Sequence, residues 1–384
     1  MSFEGKMHIL QQTFSTDSGW KTLRSSDLPL DNFQLVLAFS AKSLLEQGAI
    51  YKQIKEQFVS ADILIASTAG EIADVQVLDS SISLVAIALQ NSKHAVAVAD
   101  IKHEEDSYAV GKKLATQLNG AKLQYVLVVS DGHEVNGSEL VRGLYEHFPK
   151  NVIITGGLSG DGNSFKETLV GLNEEPRSGR VAAVGFYGDS ITITYGSIGG
   201  WDSFGPERFI TRSKDNILYE LDHKPALDVY KLYLGDFASE LPGSALLFPL
   251  SIRSTDSDTS LVRTILSIDE ETKSLIFAGN MPEGNYARLM KANLDRLVEG
   301  ANIAAKHSIL GNRNPELAIL ISCVGRKLVL DKRIEEEIET VREVYGPQTI
   351  ITGFYSYGEI SPTFEFMKCE LHNQTMTITT ISED

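Results

Sequence analysis

Thr349-Ile350-Ile351-Thr352-Gly353-Phe354-Tyr355-Ser356-Tyr357-Gly358-Glu359-Ile360 reads as a short apolar strand that enters a glycine-bounded turn and presents a carboxylate just past it. The same design appears twice earlier, as Asp62-Ile63-Leu64-Ile65-Ala66-Ser67-Thr68-Ala69-Gly70-Glu71-Ile72 and as Asn151-Val152-Ile153-Ile154-Thr155-Gly156-Gly157-Leu158-Ser159-Gly160-Asp161. A second apolar strand and a helix-spaced segment precede each copy. They are 33–40 with Ile50, Ile54 and Phe58; 125–130 with Leu140, Leu144 and Phe148; and 317–322 with Ile334, Ile338, Val341 and Tyr345. Ser40 to Glu71 spans 31 positions, and so does Ser130 to Asp161, which points to internal duplication.

Outward from these copies, further strands are expected at 75–78, 82–89 and 95–98, and again at 166–172, 180–187 and 190–198. A helix is expected over 106–118, capped by Asp106 or Ser107. Residues 199–206 are turn-rich and would expose Trp201 and Phe204. A strand from Ile217, a tight turn at Asp222–Lys224 and a helix opened by Pro225 follow. Beyond them lie strands at 245–252, 260–267 and 274–279. Tyr286, Met290, Leu294, Leu297, Ala301 and Ala305 suggest one long helix over 285–308. Strands at 364–371 and 375–381 would close a hairpin around His372-Asn373-Gln374. The sum is an α+β chain of mixed β-sheets flanked by helices, built from internally repeated strand–helix–strand units and divided into domains 1–220 and 221–384.

The totals restrict function. A chain of 384 residues can bury two cores, and 42% hydrophobic with 22% charged residues is ordinary for a globular protein. No apolar run reaches the ~20 residues of a membrane span, and residues 1–8 lack a secretory apolar core. Two cysteines, Cys323 and Cys369, suit a reducing compartment, so a cytoplasmic location is expected. A formal charge of −16 with no basic cluster argues against nucleic acid as partner. Nothing here fixes oligomeric state, and a homo-oligomer stays open.

The acidic turns are the natural ligand sites, because glycine lets a ligand approach the backbone. Gly70, Glu71, Gly160, Asp161, Gly358 and Glu359 are the candidates; the plain alternative is that each carboxylate caps local N–H groups. Enzyme motifs fail on inspection. No phosphate-binding loop or dinucleotide fingerprint occurs, and both glycine-flanked serine segments miss the nucleophile-elbow spacing. A non-enzyme is expected, with a hydrolase or transferase using Glu71, Asp161 or Glu359 as base kept as an alternative. No H-E-x-x-H or C-x-x-C-H is present. Cys369 and His372 lie three apart, on opposite faces of a continuous strand; His372, at an expected hairpin tip, is a reachable polar position, and a turn histidine is more often a surface hydrogen-bonding residue than a ligand. Phe354, Tyr355, Tyr357, Phe364 and Phe366 gather nearby and would line a pocket or simply a core.

Ser67-Thr68-Ala69-Gly70-Glu71-Ile72, Gly156-Gly157-Leu158-Ser159-Gly160-Asp161-Gly162, Gly353-Phe354-Tyr355-Ser356-Tyr357-Gly358-Glu359-Ile360-Ser361-Pro362 and Cys369-Glu370-Leu371-His372-Asn373-Gln374-Thr375-Met376-Thr377 together resemble the FIST sensory module, with an N-terminal and a C-terminal FIST domain over nearly the whole chain. The resemblance implies a bacterial signal-transduction input protein that binds a small ligand, nitric oxide through haem on the first reading and an amino-acid-like molecule without haem on the alternative. Stand-alone members similar to this chain bind haem b, sense nitric oxide and regulate a partner histidine kinase, in a two-component system, or a cyclic-di-GMP enzyme. Carried onto this sequence, His372 becomes the candidate axial iron ligand, with Phe354, Tyr357 and Glu359 around the cofactor.

Overall fold

Three pairs of parallel strands organise the chain in this computed structural model, which describes residues 6–255, 260–309, 315–363 and 368–384. They are Leu35–Ala41 with Asp62–Thr68, Leu123–Ser130 with Ile153–Leu158, and Leu317–Cys323 with Ile350–Ser356. A helix joins the two strands of each pair, as parallel pairing requires: Ile50–Gln57, Gly137–His147 and Ile334–Tyr345. Each pair is then flanked antiparallel by a returning strand of its own unit, namely Ser81–Ala88, Arg180–Tyr187 and Met376–Glu383.

The remaining strands are exchanged around a ring, so that three six-stranded sheets result among the described residues. The strand after each turn leaves its unit. Glu71–Ala73 pairs with Ile350–Ser356, Val170–Leu172 with Asp62–Thr68, and Gly358–Pro362 with Ile153–Leu158. The last strand of each unit moves the other way. Lys93–Asp100 joins the second sheet and Ile191–Ile198 the third. The first sheet receives His8–Ser15, so the beginning of the described chain fills the place that the cycle assigns to the third unit.

Alternation along these strands sends one face of every sheet into a common interior. Leu35, Leu37 and Phe39 meet Tyr125, Leu127 and Val129 and Leu317, Ile319 and Ile321 in one buried cluster, where Phe39 lies 4.7 Å from Phe354. The two halves of the chain therefore share a core. Helices cover the outer faces: Ser107–Leu118 packs on Gly137–His147, and Leu294–His307 on Ile334–Tyr345.

Residues 202–291 form a separate layer with its own core around Tyr230, Phe277 and Leu289. Its strands close into a barrel, because 260–269 works at both ends. Ser260–Arg263 pairs with Leu250–Arg253, and Ile265–Asp269 with Ser274–Phe277.

Three expectations need correction. The long helix of 285–308 is a strand, Tyr286–Lys291, followed by a helix, Leu294–His307. The i, i+4 spacing of Tyr286 and Met290 imitated a helix, but Asn293 accepts a bond from the Arg296 N–H and starts the helix there. The terminal hairpin does not exist: Cys369–His372 pairs in the second sheet and Met376–Glu383 in the third, so 373–375 crosses between sheets. Trp201 is buried, its indole N–H donating to the Gln374 carbonyl, while Phe204 is exposed. Phe364 and Phe366 lie outside the described residues.

Candidate functional site

The parallel strands all end at one apex, and there the three turns interlock. Gly160 N–H donates to the Ser67 carbonyl, Tyr357 N–H to that of Leu158, and Ala69 N–H to that of Tyr355. Ser67, Leu158 and Tyr355 are equivalent, facing Ser40, Ser130 and Ser322 in the parallel pairs. So are Ala69, Gly160 and Tyr357, each two residues further on. The same bond is thus made three times around a pseudo-threefold axis, which ties every turn to the next.

Two carboxylates sit in this ring in the same way. Glu71 Oε1 accepts from the Thr68 hydroxyl at 2.6 Å and Oε2 from the Ser81 hydroxyl at 2.6 Å. Glu359 Oε1 accepts from the Ser356 hydroxyl at 2.6 Å and Oε2 from the Thr375 hydroxyl at 2.9 Å. Both groups are fully buried, and burial pushes each carboxyl up to about 7 against the downward pull of these hydrogen bonds.

Asp161 is not their third equivalent, although the sequence spacing is identical. Val170 faces Ala66 where Glu71 faces Phe354 and Glu359 faces Gly157, so Val170 fills that place in the sheet. The second unit inserts a loop over 161–169, and Asp161 closes it. Oδ1 accepts from Phe165 N–H, and Oδ2 from Lys166 and Glu167 N–H, at 2.8, 3.0 and 3.1 Å. The Tyr357 hydroxyl donates to Oδ1 as well. Burial works against ionisation here, but these four donors hold Asp161 below the usual carboxylate range. The missing third glutamate leaves a mark, since the buried hydroxyl of Ser159, the counterpart of Thr68 and Ser356, has no partner among the described residues.

Where the first turn meets the 161–169 loop, a cleft of about 350 Å³ opens. Thr68, Ala69, Gly70 and Glu71 form its floor with Asp161 and Gly162, and its walls carry Lys42, Glu46, Asp79 and Lys166 with Ser43, Ser80 and Ser164. The Lys42 ammonium lies 2.8 Å from Glu167 and 3.3 Å from Glu46, and the bond to Glu167 holds its pKa up. Lys327 reaches in from the third unit, donating to the Ala69 carbonyl at 2.9 Å and pairing with Asp79. Its ammonium occupies the space beside Gly70 that any side chain there would need. Sequence reasoning missed Lys42, Lys166 and Asp79, which lie on no motif.

Of the residues proposed for haem, Glu359 and His372 are brought face to face as cross-strand partners, whereas Phe354 and Tyr357 are engaged elsewhere. Phe354 is in the shared core against Phe39, Tyr357 stacks on Phe165 at 4.5 Å, and Glu359 is saturated. His372 is buried within a strand, not at an exposed tip, with Nε2 held 3.0 Å from the Ser361 carbonyl. Burial lowers its pKa to about 4. The ring is neutral, as a ligand must be, and Nε2 is committed to the Ser361 carbonyl, which leaves Nδ1 as the nitrogen that could bind a metal; Phe354 and Tyr357, packed against Phe39 and Phe165, do not frame a macrocycle around it. Gly358 and Gly160 serve close packing at the apex. Cys369 points its thiol to the Ile154 carbonyl, and the described residues hold no group of three metal-binding side chains.

Parallel strands that converge on a polar cleft at their carboxyl ends define a small-ligand-binding α+β protein. Residues 34–224 match the FIST N domain and residues 226–362 the FIST C domain, and the chain belongs to the FIST family. FIST domains are sensory domains of signal transduction that bind small ligands. No curated protein sequence matches the chain. Among the described residues, no helix is long and apolar enough to cross a membrane.

Proposed function

We propose that this FIST protein is a ligand-responsive input protein whose site is the cleft between the first turn and the 161–169 loop. One observation carries the reading: the cleft is lined by the first turn and the 161–169 loop, and both are tied to the third turn, through the Ala69 N–H on the Tyr355 carbonyl and the Tyr357 hydroxyl on Asp161. Glu71 and Asp161 are saturated by their own donors and shape the floor without gripping a ligand. The charged groups on the walls are of both signs: Lys166, Glu46 and Asp79 are exposed, and Lys42 is half-buried in its pairs with Glu167 and Glu46. This suits a small zwitterion of the amino-acid class, its carboxylate on the lysines and its ammonium on the acids. Occupancy would compete with Lys327 for Asp79 and so reach the third unit, from which a partner histidine kinase or cyclic-di-GMP enzyme would be regulated.

Titration calorimetry with the common amino acids tests this. At least one should bind, and Lys42→Met and Asp79→Asn should each weaken it tenfold or more. Silence across the whole set, or affinity unchanged in both variants, would remove the cleft as the site. The nitric-oxide reading through haem on His372 has its own test. A Soret band in protein produced with haem, lost in His372→Ala, would support it; the arrangement around His372 predicts no such band.

A further inference from the structure

The apex holds a second position built like the cleft, at the third unit. Ile82 and Met376 face Ser40 and Ser322 on the returning strands, so Asp79 and Ser80 correspond to Asn373 and Gln374. The floor corresponds as well, Ser356 to Glu359 standing for Thr68 to Glu71, with Cys323 and Gly325 in place of Ala41 and Ser43. Two differences matter. Asp79 and Ser80 are exposed to solvent, whereas Asn373 and Gln374 are completely buried. And neither the oxygen nor the nitrogen of either amide has a hydrogen-bond partner among the described residues.

Four unmatched amide atoms in one buried crossing are costly, because each has given up water without gaining a partner. The place is roofed by the barrel layer and its linker. Trp201 donates to the Gln374 carbonyl, and Arg263 from the barrel donates to the Leu371 carbonyl at 2.8 Å. Gly325, in the first turn of the short helix Val324–Leu330, lets the Gln374 amide lie against it, where a side chain would collide. The Asn373 amide lies beside Gly358 of the third acidic turn.

We propose that Asn373 and Gln374 form a second, occluded recognition site for a small neutral ligand presenting paired donor and acceptor atoms, of the amide, imide or ureide class. A primary carboxamide offers one donor edge and one acceptor edge in a plane and pairs bidentately with such a partner. Two of the neighbouring charges are spent on carboxylates, Arg326 on Glu337 and Lys327 on Asp79, and the buried Arg263 guanidinium is held by the Leu371 and Asn280 carbonyls. Glu359 is closed by Ser356 and Thr375. Entry requires the linker's Trp201 to leave Gln374 and the barrel's Arg263 to leave Leu371, so occupancy is coupled to the position of the linker and the barrel.

The test is calorimetry and thermal shift of the full chain with uracil, hydantoin and nicotinamide as probes. At least one should bind and raise the melting temperature. Asn373→Leu and Gln374→Met should each cut affinity tenfold or more, while Lys42→Met leaves it within twofold. Asn373→Asp, near-isosteric but without the donor edge, gives the same answer should Asn373→Leu fail to fold. No binding by any probe, or binding kept within threefold in the amide variants, overturns the proposal. The zwitterion cleft stands or falls separately, because its variants and probes are different.

Discussion

The two buried glutamates of the turn ring make the stability of this protein depend on pH in a calculable way. Each carboxyl rises from 4.5 to about 7 through burial. Since the folded value lies above the unfolded one, stability is full below pH 4.5 and is lost as pH rises through about 7. Each group then accounts for ~3 kcal/mol between those limits, and the pair for roughly twice that if they titrate independently. Glu71→Gln and Glu359→Gln remove the titration while keeping shape, and Thr68 can turn its hydroxyl to the Ser40 carbonyl, 3.4 Å away. Urea denaturation at intervals from pH 4.5 to 8.5 measures the effect. Relative to the unsubstituted protein, each variant should gain about 3 kcal/mol on going from the acid to the alkaline end. A difference that stays flat with pH would refute the claim that these carboxyls are buried and neutral in the fold.

His372 acts in the opposite sense. With its pKa lowered to about 4 by burial, stability is complete above 6.5 and falls by ~3 kcal/mol as pH drops to 4; His372→Gln should flatten the acid limb of the same denaturation series. Arg326 and Glu337 form an ion pair with neither side chain exposed, and Arg326 also holds the Leu297 carbonyl at 2.7 Å. Arg326→Met should cost about 3–5 kcal/mol by leaving Glu337 unpaired, and Arg326→Met with Glu337→Leu should recover part of it, read by chemical denaturation. Gly353 has φ +157° and abuts the Leu320 carbonyl, so that even a methyl group collides; Gly353→Ala should fail to accumulate as soluble folded protein, whereas Gly162→Ala, with open space at its Cβ but φ +72°, should cost only about 1 kcal/mol in thermal melts.

Local pattern carried the sequence reading a long way. The strand–helix–strand units were legible because Leu35 to Phe39 and Leu317 to Ile321 are continuous apolar runs, the mark of strands covered on both faces. The turns were legible because Gly70 and Gly358 precede a carboxylate after such a run. Illegible features depended on long-range pairing. Equal counts from Ser40 and Ser130 put Asp161 level with Glu71, yet the register is 40 with 67 in one unit and 130 with 158 in the other, one residue apart. His372 resembled a loop residue because polar Asn373, Gln374 and Thr375 follow it, and their burial comes from distant segments, Trp201 over the Gln374 carbonyl and Gly325 against its side chain. Lys42, Lys166 and Asp79 share a cleft across 125 positions of sequence, which no local spacing can reveal.

The exchange of strands has a practical consequence for anyone dividing this chain. A fragment starting at residue 226 would lose Glu71–Ala73 and Ile191–Ile198 from both borders of its main sheet and display two raw edges. Its counterpart ending at 224 would lack the strand that lines Ile153–Leu158. Neither piece is a module in the sense of something that folds by itself; mixed together, the two should find each other and restore the ring, as halves of a split protein do.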